Sequence, residues 1–241
     1  TLALIRDGMN LYEAAAVKIL GMDPADAVGL KKRDPARYQF VKAVVLGAGY
    51  GIGAKKFKKT APLLTGGAYA PDDAAAEQAI ATYRSTNPKV VSLWHYHQAG
   101  LVSSALNNDP THSVSLASGR TITYFEPRYV IMDNTFTGKP TNELVASNIL
   151  GEPPKRILGS RIVENVAQSL ARDILRDAWV ALVDAGFSVG FTVYDEIVAV
   201  VPVSEAEEAK GRFASIMCTS SPWATGLPLE AEVQVADRYF K

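Results

Sequence analysis

The sequence predicts an α+β fold in which an antiparallel sheet is backed by helices. Three stretches predict it. Residues 159–186 form a long amphipathic run closed by Gly186, residues 187–200 read as a β-branched hairpin, and a capped helical run and a closing alternating stretch follow them. A second hairpin is expected over 112–132, whereas residues 8–20, 71–86 and 88–106 read as helices.

Taken in order, "GMNLYEAAAVKIL" carries apolar residues at helical spacing behind Asn10, a good N-cap. The stretch "ARYQFVKAVVLGAGYG" fits either a helix ending in glycines or a buried strand; its periodicity does not decide between them. "GAKKFKKTAPLLTGG" reads as basic and turn-rich. "PDDAAAEQAIATYRST" is a helix with acids at its start, and "PKVVSLWHYHQAGLVSSAL" a second helix. "HSVSLASGRTITYFEPRYVIM" is a hairpin turning near Ser118 and Gly119, followed by a polar loop. "SEAEEAKGRFASIM" opens with the capping-box spacing Ser204 to Glu207, and "LPLEAEVQV" closes the chain as a strand.

With 241 residues and 48% hydrophobic content, the chain can bury one large core or two small ones. Twenty-five basic and 25 acidic residues cancel overall, yet nine basic residues face one acid between Lys31 and Lys59, a segment suited to polyphosphate. Cys218 is the single cysteine, so neither a disulfide framework nor a CxxC zinc pattern exists. A reducing, cytoplasmic setting without membrane insertion is expected.

In "VYDEIVAV", Asp195 and Glu196 interrupt an apolar run. Charge there requires compensation by a cation, a metal or a solvated turn. "AVVLGAGYGIGA" mimics a dinucleotide-binding turn, but no second parallel strand ending in an acid follows about 20 residues later. No phosphate-binding P-loop occurs. His95 and His97, two apart on a helix, diverge and lack further metal ligands, while Trp94, Tyr96 and Tyr83 suit helix packing.

Read together, "KAVVLGAGYG", "ENVAQSLARDIL" and "VYDEIVAV" resemble, in order and separation, the nucleotide-binding helix, template-contacting helix and metal-binding hairpin of family A DNA polymerases of the DNA polymerase I type. The tail "SSPWATGLPLEAEVQVADRYFK" is similar to the end of bacteriophage members. The resemblance implies an α+β palm at 1–21 and 159–241, with a mainly helical fingers subdomain inserted at 22–158. It implies template-directed addition of deoxynucleoside triphosphates to a primer 3′-hydroxyl, with two magnesium ions and a primer-template as partners, on a monomeric catalytic unit.

The resemblance also implies site residues. Asp195 and Glu196 would hold metal. Lys42 would neutralise the triphosphate, with Leu46, Tyr50, Arg37, Tyr38 and Tyr12 around the nucleotide; four-residue spacing puts Lys42, Leu46 and Tyr50 on one helical face. Arg161, Asn165, Gln168 and Tyr194 would contact DNA. The family pattern differs here in four respects. Its first metal-binding aspartate should precede Thr1, so these 241 residues alone are not expected to polymerise. Tyr38 stands where arginine is usual and Leu46 where an aromatic is frequent. Tyr194 and Tyr12 replace histidines, retaining hydrogen-bond donors without the charge. A catalytically inert DNA-binding remnant of the same fold stays open as the alternative.

Overall fold

The computed structural model describes residues 2–133 and 138–239. After a short helix α1 (Leu2–Arg6), α2 (Leu11–Ile19) starts where expected: the Asn10 side chain accepts from the backbone N–H groups of Tyr12 and Glu13. Two single-turn helices follow, α3 (Pro24–Ala27) and α4 (Leu30–Arg33). The ambiguous stretch is a helix, α5 (Pro35–Ala48). Asp34 caps it by accepting from the Arg37 N–H, and Pro35 occupies the first turn, where its missing N–H costs nothing.

The basic segment expected to be turn-rich is instead a helix, α6 (Ala54–Leu64), with Pro62 in its last turn. Phe57 and Ala61 lie one turn apart and are fully buried, while Lys55, Lys56, Lys58 and Lys59 point to solvent. Burial of that face, worth about 2 kcal/mol for a phenylalanine alone, outweighs the breaker residues. Helices α7 (Asp73–Thr86) and α8 (Pro88–Leu106) meet at Asn87. The core gathers Ala16 of α2, Val41 and Val44 of α5, Phe57 of α6, Ile80 of α7 and Trp94 of α8. Tyr83 and Trp94 stack there at 6.3 Å, but Tyr96, expected to pack with them, is 72% exposed.

The hairpin consists of β1 (Thr111–Ser115) and β2 (Thr121–Asp133), joined by a turn in which Leu116 N–H donates to Arg120 O and Gly119 N–H to Leu116 O. Within the expected polar loop the chain forms β3 (Pro140–Ser147), and β4 (Lys155–Arg156) completes a sheet of order β1-β2-β3-β4. Strand β3 pairs antiparallel with the second half of β2, from Arg128↔Val145 to Asp133↔Pro140, and buries Leu144, Val145 and Ala146. The long β2 supplies a partner that the local composition does not reveal.

Helix α9 (Gly159–Asp184) is the long amphipathic element, terminated at Gly186 with φ 89°. Strands β5 (Ser188–Val193) and β6 (Glu196–Val200) then pair as an antiparallel hairpin, and α10 (Ala206–Met217) follows. Two expectations fail here. The Ser204 capping box does not form, because a 3-10 turn at Val203–Glu205 draws Ser204 inside the helical winding and leaves Glu205 at the cap without a side-chain bond. No strand forms over 227–235: the sheet of β5 and β6 has two strands, and an alternating pattern makes a face but not a ladder partner.

The chain divides into two compact units, Thr1–Val114 with Ile122–Asn165, and Ser115–Thr121 with Val166–Lys241. The fold is α+β, as the sequence predicts, with antiparallel pairing in both sheets.

Candidate active site

In the first unit, α5 carries Lys42 and Leu46, both half-buried, one turn apart. Tyr50 does not extend that helical face. The helix ends at Ala48, and Gly51 N–H donates to Ala48 O in a turn where Gly51 takes φ 72°. Tyr50 is therefore carried on the turn itself, 44% exposed. A Cβ on Gly51 would come within 2.5 Å of the Ser160 side chain, so this turn rests directly on the first turn of α9. Only glycine satisfies both the left-handed backbone and that approach.

Arg37 is exposed and pairs with Asp34 at 3.3 Å. Tyr38, adjacent, turns inward and is 9% exposed, its ring edge-on to Tyr12 at 5.5 Å. Burial, together with the neighbouring Tyr12 and Glu13, pushes the Tyr38 phenol above its usual range. Glu13 is itself buried and accepts from the Gly29 N–H at 2.8 Å, which ties α2 to the start of α4.

At the other side of the turn, α9 presents Arg161, ion-paired with Glu164 at 2.6 Å. Asn165, one turn on, donates through Nδ2 to the hydroxyl of Tyr124 at 2.9 Å, and Tyr124 is fully buried. Gln168 lies exposed further along the helix. The start of α9 also touches α8: Gly159 N–H donates to the Gln98 side chain at 2.7 Å, and a Cβ on Gly159 would stand 1.9 Å from the Trp94 carbonyl oxygen. His95 is exposed and His97 buried on α8, diverging as the spacing predicts. Burial and the nearby His112 lower the pKa of His97. A helix precedes the glycine-rich turn where a dinucleotide-binding unit needs a strand, which excludes that reading.

In the second unit, the β5–β6 hairpin closes through Tyr194 and Asp195, with Val193 opposite Glu196. Tyr194 takes the left-handed conformation, φ 54°, and is 86% exposed. Asp195 and Glu196 are both exposed at the tip, so water solvates the charge that reads as costly in the sequence. Glu196 accepts from the Tyr239 hydroxyl at 2.9 Å, a contact that raises the Tyr239 pKa, and the Tyr239 ring sits edge-on to Phe191. Among the described residues, no group of three or more His, Cys, Asp or Glu side chains is placed to hold a metal. Two adjacent exposed carboxylates nonetheless fit magnesium, which binds through one or two carboxylates, with water and phosphate oxygens completing its shell.

Also in the second unit, Asp173 and Asp177 lie one turn apart on α9. Asp173 is 2% exposed and receives the Ser118 hydroxyl, Arg120 Nε at 2.6 Å and Arg176 Nη1 at 3.3 Å. Burial raises its pKa, but the Ser118 and Arg120 bonds, with the charges of Arg120 and Arg176, more than offset it and hold the carboxyl below its usual range. Asp177 likewise, against burial, is held low by Ser221, Arg176 and Trp223. Sequence reasoning misses this network, as it misses Tyr124 and Glu13; acids one turn apart on an amphipathic helix are the available signal.

No family model matches the chain. A DNA polymerase of Bacillus phage SP02 is similar to it, 28% identical over 247 aligned residues. The similarity covers 96% of this chain, and the chain spans 36% of that relative's length. Among the described residues, no helix is long and apolar enough to cross a membrane.

Proposed function

We propose that this chain is the palm-and-fingers portion of a family A, bacteriophage-type DNA polymerase that adds deoxynucleoside triphosphates to a primer 3′-hydroxyl on a DNA template. The observation that carries the reading is the similarity to a phage DNA polymerase along 96% of the chain. In this reading residues 22–158 are the fingers, and 1–21 with 159–241 the palm. The active unit is a monomer working in the host cytoplasm.

Each residue then has a task. Lys42 binds and neutralises the triphosphate from the half-buried face of α5, beside Leu46 and with Arg37 nearby. Tyr50, on its glycine-hinged turn, covers the nascent base pair and moves as the nucleotide is enclosed. The edge-on pair of buried Tyr38 and half-buried Tyr12 supports α5 from behind. Arg161, Asn165 and Gln168 follow the DNA minor groove along α9, and Tyr194 supports the primer end. Asp195, with Glu196 oriented by Tyr239, is the magnesium ligand set this chain contributes. When bound, the metal ions supply activation of the primer hydroxyl and charge neutralisation on the phosphates. A further aspartate from outside these residues completes the set, so the 241 residues alone are inactive.

The test is magnesium-dependent primer extension by the full natural reading frame that encodes these residues, beside its Asp195→Ala variant. Templated extension abolished by the substitution, with primer-template binding retained, supports the reading. Binding without extension in the unsubstituted protein supports an inert DNA-binding remnant instead.

A further inference from the structure

Asn165 is held from behind by a chain of buried and half-buried side chains within the first unit. Its Nδ2 donates to the Tyr124 hydroxyl at 2.9 Å, and Tyr124 is 0% exposed on β2. The Tyr124 ring lies 6.4 Å from the ring of His112 on β1, and His112 Nδ1 is 3.2 Å from the Ser104 hydroxyl on α8. Residues of four elements, Ser104 of α8, His112 of β1, Tyr124 of β2 and Asn165 of α9, all within the first unit, thus lead to one carboxamide. Nothing in a helix surface requires this. An exposed asparagine that adapts to its ligand would leave both amide hydrogens in water, and a tyrosine placed only for packing would have its hydroxyl replaced by hydrogen at no cost.

We infer that Tyr124 is a positioning residue that locks the Asn165 carboxamide in one rotamer, so that α9 discriminates the shape of the terminal base pair rather than accommodating it. This rests on the reading of α9 as a minor-groove helix. With one amide hydrogen committed to Tyr124, the second hydrogen and the carbonyl Oδ1 stay in a fixed direction. Minor-groove acceptors occupy similar places in all correct pairs and shift in mismatched ones. A carboxamide free to rotate follows the shift; one held by a buried phenol loses the bond. Tyr124 touches neither DNA nor nucleotide in this arrangement, and its effect passes through Asn165.

The experiment is a double-mutant cycle in the full natural reading frame, using Tyr124→Phe, Asn165→Ala and both together. The readout is the ratio of extension rates from matched and mismatched primer termini, recorded with thermal midpoints. One hydrogen bond corresponds to about a five- to tenfold change in such a ratio. The inference expects Tyr124→Phe to lower the ratio by about that factor, Asn165→Ala to lower it comparably, and the double variant to lose no more than the larger single effect. An unchanged ratio in Tyr124→Phe, even with a lowered thermal midpoint, assigns Tyr124 to packing alone and overturns the inference. So do single effects that multiply, or an Asn165→Ala variant that discriminates normally. Absence of primer extension in the unsubstituted protein overturns the polymerase reading and this inference together, which separates the two failures.

Discussion

Replacement of Arg120 by alanine tests a buried, multiply hydrogen-bonded charge in the second unit, that of Asp173. Asp173 is 2% exposed, and Arg120 Nε donates to it at 2.6 Å. Removing that donor leaves a buried carboxylate with the Ser118 hydroxyl and the longer Arg176 contact of 3.3 Å. One charge-assisted hydrogen bond is worth about 1.5–3 kcal/mol, and orphaning one member of a buried pair about 3–5 kcal/mol. The Arg120 side chain is 46% exposed, so water screens part of its attraction, and Arg176 retains some compensation. The expected loss for Arg120→Ala is therefore about 2–3 kcal/mol near neutral pH.

The pH dependence gives a second check on the same pair. The folded-state pKa of Asp173 is depressed, so its contribution is complete above the unfolded carboxylate pKa of about 3.9 and is lost as the pH falls through the folded value. Without Arg120 the upward push of burial has less opposing it, and protonation costs the variant less. The gap between the two proteins should thus be widest at pH 7 and narrow towards pH 3. Urea denaturation followed by tryptophan fluorescence measures this, since Trp179 and Trp223 both lie in the second unit. A gap that stays constant from pH 7 to pH 3, or a loss below about 0.5 kcal/mol, would refute the argument.

Three further outcomes are expected. Gly159→Ala places a methyl 1.9 Å from the Trp94 carbonyl oxygen, where the obstacle is backbone and cannot change rotamer. A loss near the upper end of the overpacking range, about 3 kcal/mol, should appear as a lowered urea midpoint, and an unchanged midpoint would contradict the approach of α9 to α8. Asn10→Ala removes the acceptor for the Tyr12 and Glu13 N–H groups and should cost about 1 kcal/mol in the same assay, with Asn10→Asp nearly neutral. In the full reading frame, Lys42→Ala should raise the KM for deoxynucleoside triphosphates about tenfold or more while leaving the Kd for primer-template unchanged; an equal loss in both would reassign the lysine.

Elements governed by their own residues are legible in the amino-acid sequence. Asn10 before an apolar period, the acids at the start of α7, Pro88 at a first turn and Gly186 after the long helix act within a few residues of themselves, so α2, α7, α8, α9 and the hairpin turns appear where the sequence puts them. The acid pair at 195–196 is legible as a turn for the same reason, because Tyr194 and Asp195 are where the chain must reverse. Where a neighbour decides, local reading fails. Segment 54–64 is helical because a core lies ready to take Phe57 and Ala61, and β3 exists because β2 is long enough to pair with it.

The site divides along the same line. Sequence determines which residue types are available: a lysine and a tyrosine around the glycine-rich turn, a polar stripe on α9 and two carboxylates at a hairpin tip. Tertiary structure alone decides that Tyr50 rides a turn instead of a helix and that Tyr38 faces the core. It also decides that Gly51 and Gly159 must have no side chain, and that Asn165 answers to Tyr124 forty-one positions away. Caps, breakers and periods are short-range and therefore written in neighbouring letters; a close approach or a buried hydrogen bond depends on which distant surface arrives, and that is fixed only when the elements pack.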